Sequence, residues 1–246
     1  MNDRTSVRGL SARRVGVPAA GSPAAGEVPA VRTHGHRIKQ SRGRKTYDRL
    51  IQTAFKLLER RDLESITIAE IARTAGYSVG AFYARFRSKD EFLEAMLAEH
   101  IAHRTTTRNA LFVTLRDEDL VSRLIEDLVA SYWRRRRFWR AALIRSARDP
   151  AFWEPLRKHG REFADGFVSR ITERIRRPLT SKEDANVRFA FQIALGTINN
   201  AILNRPGPIF IGQAEFIESL ARAFRLLSDY DRLMGLDARP AFFPSS

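Results

Sequence analysis

The chain has 246 residues, 43% of them hydrophobic and 29% charged, enough for one small and one medium globular domain. Its net charge of +15 favours an anionic partner, and the absence of cysteine excludes disulfides and thiolate metal sites. No uninterrupted apolar run approaches the ~18 residues of a membrane span, so no membrane partner is expected, and together with the missing cysteine this fits a cytoplasmic location.

The charge is uneven along the chain. Residues 1–45 hold ten Lys/Arg against two acids, so +8 sits there and +7 on the rest. Arginine outnumbers lysine by 37 to 6, a bias that genome composition explains without any function. Residues 1–43 read as a disordered basic tail: the stretch VPAAGSPAAGEVPA has no periodic hydrophobics and too little apolar surface to offset ordering entropy. Its arginines are not followed by the apolar stretch of a secretory leader. As a functional element the tail is an arm adding phosphate contacts. The alternatives are a passive extension or a start codon placed too far upstream.

Residues 44–104 predict three helices. Lys45 to Arg61 presents Leu50, Ile51, Ala54, Phe55, Leu57 and Leu58 as an apolar face. Thr67 to Ala75 follows, with Thr67 and Glu70 in a capping-box pattern and Ile68, Ile71 and Ala72 at i, i+3, i+4. Gly76 suits the left-handed position that ends a helix. Ser78 caps a further helix to Arg87, whose Phe82 and Phe86 point inward together. Ser88 with Glu91 is a second capping box, opening a helix with Phe92, Leu93, Met96 and Leu97. Two short helices joined by a glycine turn make a helix-turn-helix, here residues 67–86.

The order Thr67, Ile71-Ala72, Ala75-Gly76, Ser78, Gly80, Phe82-Tyr83, Phe86, Ser88-Lys89-Asp90-Glu91-Phe92-Leu93 resembles the TetR family of bacterial transcriptional regulators. Tyr77, where the family usually has a smaller aliphatic, and Arg85, where His is common, depart from it. The resemblance implies that Val79, Gly80, Ala81, Ala84 and Arg85 face base edges, with Tyr83 and Lys89 on phosphates. The chemistry agrees: small residues allow close approach, Val79 or Ala81 suits a thymine methyl, and Arg85 suits guanine O6 and N7. Thr67 and Ser78 complete the expected DNA-binding set, since helix N-termini offer N–H groups to phosphate. For Tyr83 the other reading is a core residue packed on Phe55.

Residues 105–235 read as helices throughout. Asp117–Arg135 carries Leu120, Leu124, Leu128 and Tyr132; Arg136–Arg148 carries Phe138, Trp139, Ala142 and Leu143. Pro150 opens a segment to Arg177, Ser181 with Asp184 caps a helix to Asn204, and Ala214–Met234 is the last. Residues 236–246 are a C-terminal tail. The run Arg134–Arg137 covers every face of a helix, so it reads as a solvated junction with snorkelling stems. Strand signals are nearly absent, so the expected class is all-α.

The family resemblance implies that this second domain binds an effector and dimerises. Trp133, Phe138, Phe163, Phe167, Gln192 and Asn199 are the candidate ligand residues, for a small apolar or amphipathic effector. Gly196, Phe216, Leu220 and Phe224 are the candidate dimer residues, because the last two helices carry more apolar positions (Phe189, Ile193 and Leu227 among them) than one packing face needs.

No G-x-S-x-G, P-loop or H-E-x-x-H is present, and His100 with His103 lacks the further ligands a zinc site wants. No cofactor, metal or enzymatic activity is expected. The expected protein is a homodimer on a near-palindromic double-stranded DNA operator, a repressor released by a small molecule. Its rival is a nucleoid-associated or scaffold protein using the same DNA-binding domain without small-molecule control.

Overall fold

The computed structural model describes the backbone of residues 33–236 and the side chains of residues 43–105 and 110–236. The chain divides into two units, residues 1–40 and 41–246, and of the first only the helical backbone from Thr33 is described. The described residues form α-helices, and their only strand-type pairing is an isolated bridge between Ile211 and Gln213.

Helix α1 (Thr33–Leu58) begins earlier than predicted and takes in residues 33–43 of the expected tail. That stretch has no proline, and its Arg, Lys and Gln are good helix formers. A missing apolar stripe removes packing; it does not forbid a helix. Residues 1–32, and the C-terminal tail beyond Leu236, lie outside the described residues.

Helices α2 (Ile68–Thr74) and α3 (Val79–Tyr83) are short, and their ends are chemically defined. The Thr67 hydroxyl accepts from the Glu70 N–H at 3.1 Å and the Ser78 hydroxyl from the Ala81 N–H at 3.2 Å. Each such cap stabilises by about 1 kcal/mol. The Glu70 carboxylate turns to Arg61 at 2.6 Å rather than back to the cap, so that box is half made. Gly76 turns between the helices at φ +81°. Helix α4 (Lys89–Thr114) starts at Ser88, which accepts from Glu91 N–H. Leu50, Ile51 and Ala54 of α1, Ile71 and Ala72 of α2, and Phe92 and Met96 of α4 close over Phe82.

Helices α5 (Asp117–Arg134), α6 (Arg136–Arg148) and α7 (Glu154–Ile175), the last after a 3-10 turn at Pro150–Trp153, begin the second half. Helix α8 (Ser181–Leu203) is capped one residue earlier than predicted. Thr180 and Glu183 bond reciprocally, at 2.9 and 3.3 Å, in preference to Ser181 with Asp184. Arg177 at 2.8 Å anchors the Glu183 carboxylate and holds it well below the usual carboxylate range, which favours this frame. The predicted last helix is two: α9 (Ala214–Ser228) and α10 (Tyr230–Met234), broken at Asp229 in the left-handed region. The break lets Tyr230 enter the core, where its hydroxyl donates to the Asp117 carbonyl at 2.8 Å.

The core of this half centres on Phe167, ringed by Phe191, Phe224 and Tyr230 at 5.3–5.6 Å. Helix α8 buries Val187, Ala190, Phe191, Ala194 and Ile198 along one stripe. Helix α9 packs on α8 and α5 through Phe216, Leu220 and Phe224. Three of the four expected dimer residues are therefore interior to one protomer. Only Gly196 lies on the surface, where an added Cβ would meet nothing. On α8 and α9 the large apolar groups left uncovered are Phe189, 48% exposed, Ile193, Leu226 and Leu227.

Helix α4 belongs to both halves. Its first turns fill the helix-turn-helix core, while Phe112 stacks on Phe163 at 5.1 Å. The expected boundary at 104/105 thus falls inside one continuous helix.

Candidate nucleic-acid interface and cavity

The outer face of α3 presents Val79, Gly80, Tyr83 and Ala84, all exposed, with Ala81 half-buried. Phe82 fills the inner face completely and Phe86 follows it. This division follows from spacing, since residues four apart share a side of the helix. Tyr83 is 53% exposed and meets only the edge of Phe82, at 5.7 Å. Phe55, the alternative partner for Tyr83, packs instead on Phe138 at 5.2 Å. The Thr67 and Ser78 hydroxyls stand at the starts of α2 and α3, each occupied by its capping bond.

The two long cations of this face are already engaged. The Arg85 guanidinium donates to the Ala81 carbonyl at 2.8 Å and to the Gly43 carbonyl of α1 at 3.4 Å. Reading a guanine requires it to leave both. The Lys89 ammonium donates to the Leu63 carbonyl in the turn before α2. Burial lowers its pKa, partly opposed by Glu64. Both side chains tie the recognition segment to its neighbours, a role that spacing alone did not reveal.

In the second half, α4, α5, α6, α7 and α8 line a cavity of about 460 Å³ that is partly open to solvent. Leu128, Trp139, Trp153, Leu156, Phe163, Phe191 and Leu195 supply apolar wall, and His100, Ser131, His159, Gln192 and Asn199 supply polar points. Of the expected ligand residues, Phe163, Gln192 and Asn199 line this space. Trp133, Phe138 and Phe167 do not. Trp133 lies against Gly212 and under Arg136, Phe138 is sealed between Phe55 and Trp139, and Phe167 is the centre of the core. Aromatic residues sort between wall and core by tertiary contact, which periodicity does not encode.

In the sequence, His100 reads as a structural or solvent-exposed residue in preference to a metal ligand. It is buried, and its Nδ1 accepts from Arg135 at 2.7 Å. Burial first, then the nearby Arg135 and Arg104, pushes its pKa down to about 3, so the ring is neutral at pH 7. With Nδ1 accepting, the single ring proton sits on Nε2. Among the described residues no group of three metal-ligating side chains occurs.

The arginine run joins the halves rather than standing in solvent. Arg135 covers the Phe55 ring of α1 at 4.1 Å while bonding His100. Arg137 donates to the Glu59 carbonyl at 2.6 Å and pairs with Asp62 at 3.4 Å. Arg136 lies over Trp133 at 4.7 Å. Only Arg134 of the four is exposed. Arg145 adds a contact from α6 to Asp90 at 3.5 Å. No described helix is long and apolar enough to cross a membrane.

Comparison with known proteins agrees with this architecture. Residues 50–96 match the N-terminal model of the tetR family of bacterial regulatory proteins. Over 52 residues the chain is 42% identical to the uncharacterized HTH-type transcriptional regulator YwcC of Bacillus subtilis strain 168; the match spans 21% of this chain and 23% of that protein. A TetR-family regulator from Streptomyces coelicolor superimposes with a TM-score of 0.58 at 21% identity, covering 82% of this chain and 92% of its own. Salmonella enterica GusR does so at 0.53 and 18%, covering 75% and 95%. A TetR regulator from Rhodococcus sp. RHA1 gives 0.50 and 18%, covering 76% and 97%. At those identities the solved structures show a shared fold, and the matched segment carries the kinship. Residues 50–96 thus carry a capped helix-turn-helix of the kind the tetR family of bacterial regulatory proteins has, and the chain shares the all-helical fold of the solved TetR-family regulators.

Proposed function

We propose that the chain is a non-enzymatic, homodimeric regulator that reads a near-palindromic operator through α3 and represses until a small molecule fills the cavity. The carrying observation is the bridge at Arg135, which bonds a cavity residue, His100, and covers a residue of α1, Phe55. A ligand that favours one arrangement of His100 biases the position of α1, and with it α3. The shift is bounded by the ligand's differential affinity for the two arrangements. Phe189 and Ile193, with Gly196 between α-helical turns, form the exposed stripe of α8 that supports pairing with a second copy.

Selection from randomised duplexes, run beside sedimentation, tests the reading. The expected consensus is a near-palindrome whose half-site centres lie at least one helical turn apart, roughly 34–36 Å. Replacing Phe189 and Ile193 together by Glu is expected to give a monomer that no longer selects it, because carboxylates would be buried unpaired. Binding without any consensus would favour a nucleoid-associated or scaffold role. An unchanged dimer in the double variant would move the interface off α8.

A further inference from the structure

The cavity is marked by polar atoms that no protein group answers. Trp139 borders it and is 1% exposed, yet its indole N–H is buried without an acceptor among the described residues. The Asn199 side-chain oxygen, also at the wall, is buried without a donor. His100 lies edge-on to Trp139, ring centroids 5.0 Å apart, and its Nε2–H is the second donor of that corner. A stranded buried donor is costly and seldom left so unless something binds there.

The charges point the other way from a first impression. Four arginines border the cavity and no carboxylate does. Each arginine is nevertheless matched from outside. Arg104 bonds Asp127 through both terminal nitrogens, Arg157 and Arg161 share Glu154 at 2.7 and 2.8 Å, and Arg188 holds Asp165 and Asp184 at 2.9 and 2.7 Å. Four cations thus meet four carboxylates, and His100 is neutral. The cation nearest the corner of Trp139 and His100, Arg135, does not line the cavity and is already held by His100 Nδ1 and the Phe55 ring, so a ligand carboxylate entering there would be desolvated unless it drew Arg135 away.

We infer that the cavity takes a neutral, ring-bearing molecule whose carbonyl-type oxygen accepts from the Trp139 indole N–H, with the apolar rings against Phe163, Phe191 and Trp153. The inference rests on the proposed role of this half as effector receiver. A volume near 460 Å³ is in the range of sites for small organic ligands.

Three compounds on one three-ring frame test it by calorimetric titration of the full chain: fluorene, 9-fluorenone and fluorene-9-carboxylate. The ketone is expected to bind about tenfold more tightly than the hydrocarbon, the worth of one hydrogen bond to a stranded donor, with the carboxylate weakest. Trp139→Phe keeps an aromatic wall and removes the N–H; it should bring fluorenone to the level of fluorene, whose own affinity reports that the variant is folded. Trp153→Phe should keep the tenfold preference. The inference is overturned if the carboxylate binds best, if the preference survives in Trp139→Phe, or if none of the three binds. The order of ketone and carboxylate on the unmodified chain decides even where Trp139→Phe does not fold. Release from operator DNA is a separate reading: binding in the expected order without release would sink the regulator proposal and leave the cavity chemistry intact.

Discussion

Two aromatic clusters, one in each half, use the same residue types to opposite ends. Phe82, Phe86 and Phe92 lie 4.8–5.2 Å apart and close completely. Trp139, Trp153, Phe163 and Phe191 pair at 5.3–6.1 Å and leave about 460 Å³ between them. The difference lies in what stands between the rings. The first cluster is flanked by Ile, Leu, Ala and Met, with Tyr47 and Tyr83 at its edge; the second alternates with His100, Ser131, His159, Gln192 and Asn199. Apolar neighbours interdigitate freely, whereas polar groups at wall positions resist closure because collapse would strand them. Aromatic content therefore does not distinguish a core from a binding space; the interleaved polar residues do.

The largest expected contrast is in truncation. Phe82→Ala should cost about 3–5 kcal/mol, because it opens a void in a closed cluster. Phe163→Ala should cost roughly half as much, since its ring already borders empty space and has fewer dispersion contacts to lose. Urea unfolding compares the two, and equal losses would erase the distinction.

Acid sharpens it next. The His100 imidazole is neutral in the native chain down to about pH 3, whereas its ordinary value is 6.5. Between those values the unfolded chain binds the extra proton, so stability falls as pH drops through that window, by an amount on the order of a few kcal/mol. His100→Gln should flatten this limb in unfolding midpoints measured from pH 7 to 4. The closed cluster has no counterpart, and an unaltered acid limb in the variant would remove His100 as its source.

The smallest effect comes from filling the space. Gly160 lies within α7 at the cavity wall, and an added Cβ would meet nothing within 4 Å. Gly160→Leu should stabilise by about 1 kcal/mol through helix propensity alone, while weakening fluorenone binding. A destabilised variant with unchanged binding would show that the wall is placed otherwise.

The two halves also differed in how far the sequence could be read. Thr67, Ser78 and Ser88 cap where they were expected to, because a cap is decided within four residues. Lys89 and the second bond of Arg85 escaped such reading: the carbonyls involved belong to Leu63 and Gly43, remote in the chain, although Arg85 also bonds the nearby Ala81 carbonyl. Phe216, Leu220 and Phe224 were expected at a subunit contact because α9 has apolar residues on more than one side. Packing on α5 and α8 claimed that side, which only the tertiary arrangement decides. Phe163 was one of several aromatics that spacing does not rank, whereas Gln192 and Asn199 were recognisable as wall candidates because they are polar residues in an otherwise apolar helix. The same signal in α4, His100 within an apolar stretch, was available and was spent on a metal argument. The arginine run was read as solvated because four successive residues span a helix's circumference. Three of the four meet different partners, and Arg134 alone is exposed.

The continuity of α4 has a mechanical consequence. At 1.5 Å per residue its 26 residues span about 39 Å, one end under the recognition segment and the other beside Phe163. Such a rod acts as a lever: a tilt of about 3° pivoting at the far end sweeps the near end by about 2 Å. In a two-fold pair the sweeps add, changing the spacing of the two reading heads by up to roughly 4 Å out of a groove repeat of about 34 Å. If the proposed effector binds, a sub-ångström adjustment around it would in this way be magnified into a mismatch with the double helix.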